Sequence, residues 1–207
     1  MTARKENTGE INMSLSEIPA ADAAHSLKRL SREPVCRGSI VDLYRDTVQL
    51  PDGKIQEWDY VHHKKGSGSA VVPVWPDGRI LLVAQYRPAI GRTELELPAG
   101  GRDRDGEDPA ETARRELEEE TGCRADHMEF LCRLMTAVAW TNEQTFVYLA
   151  DPIRRTGHTH PDEAEEIRTF SFPLSDLLSM ILNGTVDDAK TVAGILAYAA
   201  RLSMTSR

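Results

Sequence analysis

Apolar and polar residues alternate in short runs along most of the chain after residue 35, and turn-forming residues separate these runs. Runs rich in β-branched and aromatic residues predict extended strands rather than helices. Pro-Asp-Gly occurs at 51–53 and at 76–78, and each occurrence predicts a tight turn. The predicted strands cover residues 39–50, 55–62, 70–75, 79–86, 94–97, 128–135, 144–150 and 167–172.

Helical segments are fewer, and their ends carry recognisable signals. Asp108 and Pro109 provide a capping side chain and a first-turn proline, and Gly122 is placed to end the helix that they start. Further helices are predicted over 173–182 and 187–202, and a short one over 20–31. The order of strands, helix, strands and helices predicts an α/β fold, in which helices cover both faces of a mixed sheet.

Composition narrows the class of protein. The 207 residues are 40% hydrophobic and 28% charged, with a net charge of −8, which indicates a folded, soluble chain and argues against binding to nucleic acid or anionic lipid. No apolar run is long enough for a transmembrane helix, and the first residues lack the apolar core of a secretory signal. Three cysteines without Cys-x-x-Cys spacing fit reduced thiols, so we expect a cytoplasmic enzyme.

The acidic residues concentrate in two clusters. Nine acidic residues and four arginines lie between 102 and 120, and the second cluster is Asp162, Glu163, Glu165 and Glu166. Two such clusters could converge on a hard divalent cation, because Mg²⁺ and Mn²⁺ prefer oxygen ligands. The alternative is that both are solvated surface.

Helical geometry favours the cation for the first cluster. At 100° per residue, a buried stripe forms along the helix over 108–121 from Ala110, Ala113, Leu117 and Thr121. Glu116, Glu119 and Glu120 fall in the sector beside that stripe. Like charges one turn apart repel, whereas a structural surface helix usually alternates its charges. A bound cation would neutralise the three glutamates.

The segment GRDRDGEDPAETARRELEEETGC, residues 101–123, resembles the Nudix box. That signature is Gly, five residues, Glu, seven residues, then Arg-Glu-aliphatic-any-Glu-Glu-any-Gly-aliphatic. The chain supplies Gly101, Glu107, Arg115, Glu116, Leu117, Glu119, Glu120 and Gly122, with Cys123 in the last position. The resemblance implies the Nudix fold, an α/β/α sandwich with a mixed β-sheet, and hydrolysis of nucleoside diphosphates linked to another group.

The resemblance also assigns roles within the box. Glu116, Glu119 and Glu120 would bind Mg²⁺ or Mn²⁺, and the backbone carbonyl of Ala99 or Gly100 would complete the metal shell.

Two further box residues would support those ligands. Arg115 would orient the glutamates by ion pairing, and Glu107 would act from the next layer or as a weak ligand. The stretch PAGGRDRDGE has one residue more than the usual spacing, so either Gly100 or Gly101 could be the structural glycine.

The flanking sequence resembles the ADP-ribose pyrophosphatase branch of this family. Residues 34–66 would form an N-terminal antiparallel β-region that completes the nucleoside pocket and is exchanged across a homodimer. Residues 67–207 would form the hydrolase domain, and residues 1–33 a polar tail or arm. The implied reaction converts ADP-ribose, or a related nucleoside diphosphate sugar, to a nucleoside monophosphate such as AMP and a sugar phosphate.

Residues outside the box take their expected roles from the same resemblance. Arg87 would contact the substrate phosphate, Glu96 would line the same cleft, and Glu143 would approach the substrate. The general base would lie in the loop HPDEAEEIRTFSF, with Glu163 the first choice and Glu165 the second.

The chain departs from the branch at two further places. Trp58 lies where many relatives carry an arginine for the nucleoside, so it could stack on a base or pack in a dimer interface. Val138 and Ala139 replace a typical Pro-Gly. These changes leave the leaving group open: the alternatives are another sugar nucleotide such as GDP-mannose, or a regulatory module that binds ADP-ribose without turnover.

Overall fold

The computed structural model describes residues 25–156 and 167–205. Within them the strands are β1 (Lys28–Arg37), β2 (Val41–Gln49), β3 (Ile55–His63), β4 (Ser67–Pro73), β5 (Ile80–Arg87), β6 (Arg92–Glu96), β7 (Ala99–Gly101), β8 (Cys123–Ala125), β9 (Met128–Met135), β10 (Gln144–Ala150), β11 (Ile153–Arg155) and β12 (Arg168–Phe172). The helices are α1 (Pro109–Thr121), α2 (Leu174–Leu182) and α3 (Ala189–Thr205).

The first three strands form a separate antiparallel sheet in the order β1-β2-β3. The β2–β3 hairpin turns at the predicted Pro-Asp-Gly, where the Gly53 amide donates to the Leu50 carbonyl at 2.9 Å. The helix predicted over 20–31 is wrong for its described C-terminal part, since β1 already begins at Lys28. Pairing with β2 outweighs the local preference of this segment for a helix. Across the pair, Arg32 donates two hydrogen bonds of 2.6 Å to the Asp46 carboxylate.

Three further sheets make up the rest of the described fold, in the orders β7-β4-β10-β9, β12-β5-β6 and β11-β8. Strands β4 and β10 are parallel while their other neighbours are antiparallel, so this sheet is mixed as predicted. The turn at 76–78 joins β4 to β5 as expected. A single bridge between Val74 and Ile80 pairs the two strands beside this turn, and beyond it they belong to different sheets.

Helices pack on both faces of this scaffold. Helix α1 buries Ala113 and Leu117 against one face, and helices α2 and α3 bury Leu177 and Ile195 against the other. Helix α3 approaches closely because it carries Gly194, where a Cβ would lie 2.6 Å from Leu97 Cδ1. Among the described helices, none is both long and apolar enough to span a membrane.

Candidate active site

Helix α1 begins and ends where the sequence predicts, and this fixes the direction of its glutamates. The Asp108 side chain accepts a hydrogen bond from the Ala110 amide at 2.8 Å. At the other end Gly122 adopts a left-handed conformation, φ 63°, and donates its N–H to the Glu118 carbonyl at 2.8 Å. Between these caps, Glu116 and Glu120 are buried beside the core stripe.

Arg115 connects the helix to the loop that precedes it. Its Nη1 lies 2.8 Å from Glu116 Oε1 and 2.7 Å from Glu119 Oε2. Its Nη2 donates to the Gly101 carbonyl at 2.7 Å, and its Nε lies 3.0 Å from Asp103 Oδ2. The guanidinium therefore lies between two of the predicted metal ligands and holds them near β7.

The Glu116 carboxyl is unusually crowded for an acidic side chain. Burial raises its pKa to about 7, Arg115 opposes that rise, and the nearby Glu119 and Asp103 add to it. A Cβ on Gly100 would overlap the Glu116 carboxyl group, whereas one on Gly101 would meet only Lys65 Cδ at 3.3 Å. The close approach therefore falls on Gly100, the first of the two candidate glycines.

The remaining box glutamates differ in their surroundings. Glu120 is buried and accepts a hydrogen bond from the Ala99 amide at 3.2 Å, while Glu119 is partly exposed. Glu107 accepts from the Asp103 amide at 2.8 Å and from Thr112 Oγ1 at 3.1 Å. These bonds hold Glu107 within the loop, and its carboxylate reaches only the edge of Arg115, at 3.8 Å.

The donor set suits a hard cation by its chemistry, because the buried carboxylates of Glu116 and Glu120 both lie against the backbone of β7. In the part of the chain that the structure describes, no three side chains are already grouped as a metal site. The Arg115 guanidinium lies between Glu116 and Glu119 and supplies the positive charge there. The ligand roles of the three glutamates, Ala99 and Gly100 stay predictions.

A cleft of about 260 Å³ extends from β7 across the sheet. Its walls include the segment Ala99–Gly101 and two predicted substrate residues, Arg87 and Glu143. A neighbouring cavity of about 450 Å³ shares Arg87 with this cleft and is lined by Glu96 as well. The fold thus brings the predicted phosphate contact and the loop before the box to one cleft.

Arg87 and Glu96 form a two-point ion pair on adjacent strands. Arg87 Nε donates to Glu96 Oε1 at 2.6 Å, and Arg87 Nη2 donates to Oε2 at 2.8 Å. Lys190 Nζ also donates to Glu96 Oε2. Burial alone would raise the pKa of Glu96, but Arg87 and Lys190 outweigh it and lower that pKa.

One predicted residue lies away from the cleft, and two others fall outside the described residues. Trp58 is 42% exposed on the N-terminal sheet, and its indole donates to Gln56 Oε1 at 3.1 Å. It lines neither of the two cavities. The candidate bases Glu163 and Glu165 lie outside the described residues. The roles of Trp58 and of these two glutamates stay predictions.

The sequence did not predict two residues that line the cleft, His63 and Lys190. The Gly66 amide donates to His63 Nδ1 at 3.1 Å, so Nε2 carries the proton in the neutral ring and lies 4.0 Å from Glu143 Oε1. His63 ends β3, and the composition of the segment 64–69 that follows predicts a flexible connector. That prediction is wrong for residues 67–69, which pair in β4. Lys190 lies in the first turn of α3, 94 residues after Glu96, and no local signal marks such a pair.

Two family profiles match adjoining parts of the chain. The one described as NUDIX domain matches residues 64–194, more than half of the chain. The one described as nucleoside diphosphate sugar hydrolase N-terminal domain matches residues 27–61.

Similar curated proteins cover most of the chain. The ADP-ribose pyrophosphatase of Bacillus subtilis (strain 168) is 34% identical over 169 residues, which are 81% of this chain and 90% of that protein. The ADP-ribose pyrophosphatase of Mycobacterium tuberculosis is 36% identical over 177 residues, 84% of each chain.

A solved structure described as ADP compounds hydrolase has a similar fold. It aligns with a TM-score of 0.78 and 22% sequence identity, covering 87% of this chain and 96% of its own. At that identity the likeness concerns the fold, and it confirms the architecture that the sequence predicts.

Proposed function

The chain belongs to the Nudix family, and we propose that it hydrolyses the diphosphate bond of ADP-ribose or a related nucleoside diphosphate sugar. The products would be AMP, or another nucleoside monophosphate, and a sugar phosphate. Two relatives named ADP-ribose pyrophosphatase, each aligned over most of its length, support this substrate class. The match of residues 27–61 to an N-terminal domain of nucleoside diphosphate sugar hydrolases supports it as well.

The observation that carries the proposal is that Gly100, against which the Glu116 carboxyl group packs, lines the same cleft as Arg87. A diphosphate placed in that cleft could meet the carboxylate cluster and a guanidinium at once. Guanidinium groups bind phosphate oxygens through paired hydrogen bonds.

A divalent cation, Mg²⁺ with Mn²⁺ as a substitute, is part of the proposal. Glu116, Glu119 and Glu120 would hold it, with the carbonyl of Ala99 or Gly100. When bound, the cation would neutralise negative charge on the diphosphate. The acidic side chains of this protein, whose net charge is −8, would otherwise repel that substrate.

The chain's own residues would do the rest. Arg115 would keep the glutamates oriented through its pairs with Glu116 and Glu119. Arg87 would hold the diphosphate against β7. Glu163 or Glu165 would accept the proton of the attacking water as general base.

Product analysis by mass spectrometry in ¹⁸O-water, with Mg²⁺ and then with excess chelator, tests the function. The substrates to offer are ADP-ribose, GDP-mannose and UDP-glucose. We expect AMP and ribose 5-phosphate as the main products, the ¹⁸O label on one of them, and no turnover in chelator. Preference for GDP-mannose would retain the chemistry and change the sugar, whereas no turnover with either Mg²⁺ or Mn²⁺ would favour a binding module.

A pair of variants on the same helix separates the site from general damage. Glu120→Gln removes the charge of a buried glutamate in the cluster, and we expect activity to fall by at least about tenfold. Glu118→Gln is the matched control, because Glu118 pairs with Arg124 at 2.6 Å away from the cluster. Equal activities of the two variants would count against the glutamate assignment.

A further inference from the structure

The first turn of helix α3 is fastened to the segment that leads into the box. Asp188 Oδ2 accepts hydrogen bonds from the Thr191 amide at 3.0 Å and from Thr191 Oγ1 at 2.6 Å. Thr191 Oγ1 in turn accepts from the Leu97 amide at 2.8 Å. Thr191 is fully buried, so this contact fixes the start of the helix beside the chain between β6 and β7.

Lys190 projects from that fixed turn into the ion pair of the cleft. Its Nζ donates to Glu96 Oε2 and lies 3.0 Å from Asp188 Oδ2. The Lys190 side chain is 17% exposed and that of Glu96 is 3% exposed, so the contact is largely shielded from water. Glu96 therefore has two cationic partners, one from β5 and one from α3.

The two partners have different consequences for the cleft. Burying a carboxylate costs free energy unless its oxygens are paired. The loss of one cationic partner therefore destabilises the buried position of the carboxylate, even when the other partner remains. Without Lys190, Arg87 would be the one cationic partner left, among those described, to offset the cost of burying the Glu96 carboxylate. Glu96 would then be expected to shift toward water, and Arg87, which is bonded to both of its carboxylate oxygens, would shift with it. The direction of the Arg87 guanidinium in the cleft would change.

We propose that Lys190 is a positioning residue for hydrolysis: it fixes the Glu96 carboxylate, and Glu96 in turn fixes Arg87 toward the diphosphate. The inference rests on the proposed function and adds to it a residue from the C-terminal helix. Lys190 lines the same cleft as Arg87. Its ammonium group is held on Glu96 Oε2, the oxygen to which Arg87 Nη2 also donates, so its effect on the diphosphate would pass through Glu96 and Arg87.

Arg92 offers a matched control on the same two elements. It pairs with Glu94 on β6 and lies 2.7 Å from Asp187 just before α3. Like Lys190, it ties the start of α3 to β6 through a cation. It is more exposed, and its described partners are Glu94 and Asp187, not Glu96.

The test is a double-mutant cycle of Lys190→Met, Arg87→Ala and the combined variant, with Arg92→Met as control. The readouts are kcat/KM for ADP-ribose with Mg²⁺, the affinity for α,β-methylene ADP-ribose by calorimetry, and the melting temperature. We expect Lys190→Met to lower kcat/KM by about tenfold alone and by less than about twofold in the Arg87→Ala background. Arg92→Met should stay within about twofold of the wild type, and Lys190→Arg should restore most of the loss.

Other outcomes overturn the inference. Equal losses from Lys190→Met in both backgrounds would mean that Lys190 acts independently of Arg87. If Lys190→Met and Arg92→Met lowered kcat/KM equally, in proportion to their loss of melting temperature, Lys190 would only stabilise the packing of α3 on β6. If the wild type binds the methylene analogue but does not hydrolyse ADP-ribose, the proposed function fails. The same cycle, measured as affinity for the analogue, then still decides the role of Lys190.

Discussion

The backbone of Gly100 passes so close to the Glu116 carboxyl group that no side chain fits between them. We therefore expect Gly100→Ala to displace Glu116 from Arg115 and to lower kcat/KM by at least about tenfold. Gly101→Ala is the control, since its Cβ would meet only the flexible end of Lys65, at 3.3 Å. Steady-state kinetics with Mg²⁺ on both variants, with circular dichroism to verify folding, is the measurement. A fully active Gly100→Ala enzyme would show that Glu116 can move without loss.

Residue identity predicted the box and its glutamates, but not the partners that come from far along the chain. Arg115 and Glu119 are four residues apart on one helix, so helical geometry places their contact, seen at 2.7 Å. Glu96 and Lys190 are 94 residues apart, and only the packing of α3 on the sheet brings them together. Long-range pairs of this kind follow from tertiary structure and have no local sequence signal.

At the scale of elements, the helix that carries the glutamates depends on its N-terminal cap. Asp108 accepts from the Ala110 amide at 2.8 Å, and Asp108→Ala leaves that donor without its partner. We expect a loss of about 1 kcal/mol in the free energy of unfolding. Urea denaturation followed by circular dichroism measures it. Asp105→Ala, in the exposed loop before the helix, is the control, and an equal loss there would contradict a capping role for Asp108.

Elements with strong end signals or clear alternation were predicted closely, and short or polar ones were not. The predicted strands over 128–135 and 144–150 coincide with β9 and β10, since both apolar runs are bounded by polar residues. Strands β7, β8 and β11 have three residues each, too few for any periodic pattern. Strand β1 is mostly polar, and its extended form follows from pairing with β2.

At the scale of the molecule, the N-terminal sheet carries several exposed apolar side chains. Its exposed large hydrophobic residues are Leu30, Val35, Val41, Ile55 and Trp58. Single exposed apolar side chains are common, but several on one small sheet indicate a contact surface. A second copy of this chain is the occupant that the family resemblance implies. Trp58 would then lie in or beside that interface.

Mass in solution decides whether the sheet is such an interface. We expect multi-angle light scattering to give twice the chain mass of 23.0 kDa for the wild type. Ile55→Glu places a charge on a 53% exposed position of β3 and should yield the monomer, because burying an unpaired carboxylate opposes association. Leu182→Glu, at an 88% exposed position that ends α2, should leave the mass unchanged. If the dimer completes the nucleoside pocket, Ile55→Glu should also raise KM for ADP-ribose while Leu182→Glu does not. A monomeric wild type at micromolar concentration would place the whole nucleoside pocket within one chain.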